Sequence, residues 1–425
     1  MKSRQALSLA RRILLAFAAG ALLAPCALGA QDFKVLHYFG GANDGAGPTG
    51  PLLIDDKGRL YGNTGGGGGT GCEGYGCGTI FVLAPGAGGE WKETLLYDQF
   101  PGGDGGGDPY GNLVSPGEPE PTLYGTMEGE GEFAAINEYA VVSGTVTLTP
   151  IYDQNFSPGL TLDRVGNIYG GIGPGDLGSG AIGELSPGAD GWTYTQLYSF
   201  CSPQGGCPDG DETEYPLSWD SRGNLYGTTL YGGNATYPYC PGSLGCGVAF
   251  QMTPNPDGTW AYHVMHRFAS SQYDGQYPDG GLALDSAGNA YGVAGEGGPN
   301  ATGTIFELTP SFSQTGERWN QSVLYDFPNC NEGCFPGTTM VFDKAGNLYG
   351  IASGGIADCG GYTCGVVFRL SPQPGGKWNY TVLHKFVGTD GQFPWGVTLD
   401  DKGNLLGTTK AGGTYNAGVA FEISP

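Results

Sequence analysis

Basic residues are scarce in this chain. Eighteen Lys and Arg stand against 41 Asp and Glu, for a formal net charge of -23 over 425 residues. Four of the basic residues (Lys2, Arg4, Arg11 and Arg12) fall at the very start, so the remainder of the chain is more acidic still. Such a surface repels phosphate backbones and anionic membranes, which excludes nucleic acid as a partner. Histidine is nearly missing, at four residues. There is no HExxH pair, no nucleophile elbow and no phosphate-binding loop, and the Gly65–Gly69 run lacks the Lys that such a loop needs. After Leu23 no apolar run is long enough to span a membrane. Helical periodicity is absent as well.

What is present begins with a leader. Lys2 to Arg12 is basic, Ile13 to Leu23 is apolar, and small residues lead to Ala30. This is the pattern of a secretory signal peptide over residues 1–30, which leaves 31–425 as the mature domain. Eleven cysteines fit that reading. Cys26 lies in the leader, and the other ten form close pairs: Cys72/Cys77, Cys201/Cys207, Cys240/Cys246, Cys330/Cys334 and Cys359/Cys364. An even count with local spacing predicts five disulfides in an oxidising compartment. No pair has the two-residue gap of a zinc knuckle. The protein is therefore expected to be secreted, to the periplasm, the medium or the cell surface.

Glycine (83) and proline (29) punctuate short runs rich in tyrosine (25) and phenylalanine (19), a pattern of many strands and many turns. The runs repeat. "DDKGRLYG" at Asp55 returns as "DRVGNIYG", "DSRGNLYG", "DSAGNAYG", "DKAGNLYG" and "DDKGNLLG", with a degraded copy around Tyr124. A second element comes after it ("GTIFELTP" at Gly303), then a third ending in Phe ("VLYDF"). One apolar strand before the Asp, one after the turn, one from the second element and one from the third make four antiparallel strands per repeat. Seven such units predict an all-β, seven-bladed propeller. The segment after the leader, "FKVLHYF" (Phe33 to Phe39), is a fourth strand with no blade before it, and the chain ends after a third strand. The N-terminal strand is thus expected to complete the last blade and close the ring.

"PDGGLALDSAGNAYG" resembles the repeat of NHL-type propellers. The longer pattern "YGTT…GG…GT-I/V-F-E-L-T/S-P" with a later "W…VLYDF" resembles the GloVer tandem repeat of secreted or surface-anchored bacterial proteins. The resemblance covers nearly the whole mature chain. It implies a fold and a location but no catalytic residues. Family members often carry a C-terminal anchor, and this sequence stops at Pro425 without one, which implies release.

In a propeller, the loops from strand four to strand one share a face with those from strand two to strand three. All five cysteine pairs fall in such loops. So do the Asp-Gly segments carrying Asp44, Asp104, Asp209, Asp211, Asp274 and Asp390. With Trp395, which comes after the Asp390 loop, these residues are the candidate ligand face. The plainer reading of each loop is an ordinary turn with Pro setting φ, and singly it is the stronger. Asp209, Asp211, Glu212 and Glu214 crowd one loop and could hold calcium, but no known calcium pattern is present, so no cofactor or metal is assigned. Trp91, Trp192, Trp260, Trp319 and Trp378 recur at one blade position, which argues for packing. Trp219 breaks that register and would face the channel or a neighbouring blade. His37, His266 and His384 occupy one slot on different blades and should not converge. The reading that results is a monomeric, non-enzymatic binding or scaffold propeller for a glycan or an extracellular protein. The alternatives are a polysaccharide lyase or glycosidase with carboxylates around the channel, and a purely structural surface protein.

Overall fold

The computed structural model describes residues 32–424 apart from short segments at 41–42, 70–75, 99–107, 118–121, 129–133, 143–144, 154–155, 174–179, 202–205, 234–238, 241–243, 314–315, 356–358 and 360–362. The expected leader, Cys72 and Asp104 lie outside the described residues. Those described contain strands and no helix, and none is long and apolar enough as a helix to cross a membrane. The strands form seven antiparallel sheets. In chain order blade 1 spans 45–97, blade 2 108–152, blade 3 161–199, blade 4 218–267, blade 5 275–326 and blade 6 334–385. Blade 7 takes its first three strands from 392–424 and its fourth from Asp32–Tyr38.

The recurring Asp builds the turn between strands one and two. Asp285 Oδ1 accepts the backbone N–H groups of Ala287 and Asn289, each at 2.9 Å. Its Oδ2 accepts Asn289 Nδ2 at 2.8 Å and the Tyr291 hydroxyl at 3.2 Å. Asp220 and Asp343 make the same four contacts. One carboxylate therefore satisfies the whole reversal and fixes where the next strand begins.

Two glycine positions explain the rest of the repeat. In "YG" the glycine makes room for the Phe of strand three. A Cβ on Gly62, Gly227, Gly292, Gly350 or Gly407 would lie 2.4–2.7 Å from the ring of Phe81, Phe250, Phe306, Phe368 or Phe421. In "GTIF" the glycine makes room for the next blade. A Cβ on Gly78, Gly247, Gly303, Gly365 or Gly418 would lie 2.4–2.7 Å from Cδ of Pro109, Pro278, Pro336, Pro394 or Pro48. Gly and Pro thus recur because each blade joint brings a backbone against a pyrrolidine ring. The closing Phe of each strand four then packs on the strand-three Phe of the next blade: Phe268 on Phe306 at 5.0 Å, Phe327 on Phe368 at 6.1 Å, Phe386 on Phe421 at 5.3 Å.

The same joint closes the ring. Asp32–Tyr38 pairs antiparallel with Val419–Ser424, from Asp32↔Ser424 to Tyr38↔Val419. Phe39, fully buried, then reaches Phe81 of blade 1 at 5.0 Å. Gly418 meets Pro48, and Thr408 Oγ1 donates to the Gly50 carbonyl at 2.8 Å. One detail differs from the expectation. Strand one does not start at the apolar residues before the Asp. In blade 5 it begins at Gly275–Pro278, breaks, and resumes at Ala283–Leu284. The Gly-x-x-Pro segments, expected to be loop, are its upper half. Proline is tolerated there because strand one is the channel-side edge of each sheet, where no neighbour needs its missing N–H.

Phe39→Ala leaves a cavity at the closing joint, and its expected cost is about 3–5 kcal/mol. Denaturant unfolding measures it, and a loss under about 1 kcal/mol would show that the joint is dispensable.

Candidate functional site

The upper halves of the seven first strands converge on the central channel. Just before the Pro, the backbone turns left-handed at Gly47, Tyr277, Phe335 and Phe393, with φ of 53–64°. Each donates its N–H to the preceding blade: Gly47 to Ala417, Tyr277 to Cys246, Phe335 to Thr302 and Phe393 to Cys364, at 2.8–3.0 Å. A bulky residue in this region is costly and persists only where its surroundings hold it. Blade 4 uses Glu212 at this place (φ 58°) and Thr213 in place of Pro, as the Asp211↔Tyr231 bridge shows.

The residue after the Pro position differs from blade to blade, and in blades 1, 2, 4 and 7 it lines the channel cavity. In order it is Thr49, Tyr110, Ser157, Glu214, Asp279, Gly337 and Trp395. The backbone is common and the side chains are not, and they segregate. Blades 4 and 5 present carboxyls, whereas blades 7 and 2 present aromatic rings, with Trp395 edge-on to Tyr110 at 5.9 Å. Lys410 Nζ sits 5.7 Å from the Trp395 ring.

Two cavities meet at Tyr215, the residue after Glu214. One, of about 320 Å³, lies within the channel between Tyr110, Glu214, Tyr215, Thr338 and Trp395. The other, of about 470 Å³, opens beside it between blades 4, 5 and 6, lined by Tyr215, Tyr231, Tyr277, Asp279, Glu296 and Phe335. The Tyr215 hydroxyl donates to Asp279 Oδ1. Burial pushes Glu214 above the ordinary carboxylate range, reinforced by the charges of Glu212 and Asp279. Burial raises Asp279 too, against the lowering effect of the Tyr215 bond. The indole N–H of Trp395 and the hydroxyl of Thr338 are buried polar groups with no hydrogen-bond partner among the described residues. Raised carboxyls in an aromatic-lined hollow are a recognised mark of a functional site.

The residues expected from sequence divide sharply. Asp44, Asp209, Asp274 and Asp390 do lie at loop ends on the expected face, but they turn back onto strand four. They meet His37 (3.0 Å), Tyr198 (2.6 Å), His266 (3.0 Å) and His384 (2.9 Å) respectively. Each also accepts a backbone N–H, from Gly45, Cys201, Ser270 and Val387. Asp274 is only 2% exposed. Burial alone would raise its pKa, yet the His266 and Ser270 bonds hold it below the ordinary carboxylate value. Asp211 accepts the Gly180 N–H. Of the suggested calcium quartet, only Asp211 falls in a group of three possible ligands among the described residues, and its companions there are the disulfide-bonded Cys201 and Cys207. Among the described residues of the expected ligand face, Trp395 alone lines the channel cavity.

Disulfides join Cys201–Cys207, Cys240–Cys246, Cys330–Cys334 and Cys359–Cys364. Cys77 is bonded as well. They lie between strands four and one or between strands two and three, with Cys334 opening its strand. The recurring tryptophans pack on the preceding blade: Trp192 on Tyr124, Trp319 on Tyr226, Trp378 on Tyr291. Trp219 donates to the Leu162 carbonyl, so it faces a neighbouring blade. From sequence, Glu214 stood out only as a calcium candidate, and Asp279, Tyr215 and Tyr110 did not stand out at all. The signal was there in the column after the Pro, where repeats that otherwise agree carry seven different residues.

The fold and this hollow define a disulfide-bonded β-propeller with a central-channel site. Within that class, residues 240–425 match the Gloeobacter/Verrucomicrobia repeat, which is the resemblance carried by the "GTIFELTP" and "VLYDF" motifs. No curated protein matches the chain. Among solved structures, the soluble aldose sugar dehydrogenase of Escherichia coli is 14% identical, over 93% of this chain and 99% of that one, with a TM-score of 0.40. The polysaccharide lyase Uly1 is 10% identical over 92% of each chain, with a TM-score of 0.50. A glucose dehydrogenase is 13% identical over 93% and 99%, with a TM-score of 0.39. At these identities the likeness is one of fold.

A carboxyl whose pKa is raised on folding costs stability once the pH exceeds its unfolded value, because the native state then holds the extra proton. Asp279→Asn is therefore expected to raise Tm at pH 7, with the gain vanishing below the ordinary carboxylate value of 3.8. Thermal unfolding at the two pH values checks this. A loss of stability at pH 7 would show Asp279 to be structural.

Proposed function

We propose that this protein binds a carbohydrate chain at the mouth of its central channel, on the disulfide-bonded face. The observation that carries this reading is the channel cavity, with the aromatic rings of Tyr110 and Trp395 from blades 2 and 7 and the protonatable carboxyl of Glu214 from blade 4. Aromatic faces suit the apolar C–H faces of sugar rings, and carboxyls suit their hydroxyls. The acidic surface favours a neutral or amino-bearing glycan over a uronate or sulfated one. The bonded cysteines support an extracytoplasmic location, and the basic and apolar leader supports secretion to the periplasm, the medium or the cell surface.

The test is a glycan array on the mature chain and then calorimetry. Trp395→Ala is expected to weaken the strongest interaction at least about tenfold, equivalent to about 1.4 kcal/mol. An array without hits, or an affinity unmoved by Trp395→Ala, overturns the reading.

One observation favours a second reading, an enzyme that cleaves such a chain. Glu214 combines burial, a raised pKa and an adjacent Tyr215–Asp279 pair, a set that general acid chemistry requires. Incubation with the bound polysaccharide separates the two. New chain ends that disappear in Glu214→Gln while affinity persists identify an enzyme, and an intact polymer identifies a binder.

A further inference from the structure

The fourth strands of neighbouring blades meet along a belt around the ring. At most described joints the contact is a stack of two rings: Tyr198 on Tyr262 at 4.0 Å, Tyr325 on Tyr380 at 4.2 Å, His384 on Phe33 at 3.7 Å. Two joints are polar. Where blade 4 meets blade 5, Asp274 is held between His266 Nε2 at 3.0 Å and Gln321 Nε2 at 2.8 Å. One acceptor meets two donors there, and the joint is satisfied.

Where blade 7 meets blade 1, the closing seam of the ring, Glu93 stands in the place of Gln321. His37 Nε2 lies 3.0 Å from Asp44 Oδ2 and 3.6 Å from Glu93 Oε2. Two carboxylates now share one imidazole edge. The three side chains are 21%, 10% and 14% exposed, and Glu93 Oε1 is buried without a hydrogen-bond partner among the described residues. The Gln321 joint shows that the belt does not need an acid here. An acid in that place leaves a buried carboxyl oxygen without a donor, which a cation would satisfy.

We propose that His37, Asp44 and Glu93 bind one divalent transition-metal ion of the zinc class across this seam. Their ligand atoms lie within 4.8 Å of one another. A tetrahedral ion with bonds of about 2.0–2.1 Å spaces its ligands roughly 3.3 Å apart, between the two distances seen. One imidazole and two carboxylates balance a 2+ ion, and solvent supplies the fourth ligand. A nitrogen with few oxygens suits zinc better than calcium, which takes six to eight oxygens. The ion would tie the fourth strand of blade 7 to the first and fourth strands of blade 1. This site is independent of the channel.

The test is Zn2+ calorimetry and thermal unfolding on the untagged mature chain. One ion per chain is expected, with Tm raised by roughly 3 °C or more at Zn2+ well above Kd. Glu93→Gln copies the Gln321 joint, and His37→Tyr copies the Tyr198–Asp209 joint, so each substitution has a folded precedent in this chain. Both are expected to abolish the binding and the Zn2+-dependent Tm shift. No binding by the wild type, or unchanged stoichiometry in either variant, overturns the proposal.

Discussion

Closure of the ring is the constraint on which the rest depends. A four-stranded sheet that packs on both faces needs two neighbours, and only a circle supplies them to every blade without leaving an end. Here the circle is shut by Asp32–Tyr38 lying along Val419–Ser424, and the residues around that pairing repeat the contacts of every other joint. Gly418 against Pro48 is the Gly303–Pro336 contact again. Phe39 on Phe81 is Phe268 on Phe306. The joint between blades 7 and 1 is therefore packed like the others.

Repetition also explains how a site arises on a scaffold with no catalytic motif. The turn Asp, the two glycines, the Pro and the paired phenylalanines hold most blades in one backbone conformation, and blade 4 keeps it with Thr213 in place of the Pro. A position freed from that work, the one after the Pro, lines the channel cavity in blades 1, 2, 4 and 7. Change at this column alters the site without touching the joints. The left-handed residues beside it, tied by backbone bonds to the preceding blade, hold the display rigid.

Much of the fold was legible because its causes are local and recur. The Asp-x-x-Gly turn, the strand alternation and the closing Phe can each be read within a dozen residues, and the unpaired "FKVLHYF" pointed to closure. The site was less legible. Asp44, Asp209, Asp274 and Asp390 advertise themselves as acidic loops, yet each turns back onto a His or Tyr of strand four only six to eleven residues earlier, a pairing set by how the loop between them folds. Trp395 stood out because it broke a register. Asp279 did not, because "YPDGG" reads as an ordinary turn and its meeting with Tyr215 spans 64 residues.

By itself the sequence determined the number of blades, their strands, the turns between them and the cysteine pairing, since each depends on neighbours a few residues apart. Only the tertiary structure decided which carboxyls point at solvent, which at a partner and which into the channel. A side chain's direction within a repeat is common to all copies, but what it meets belongs to the next blade. That is why Glu93 against His37 and Glu214 beside Asp279 came to light only once the ring was closed.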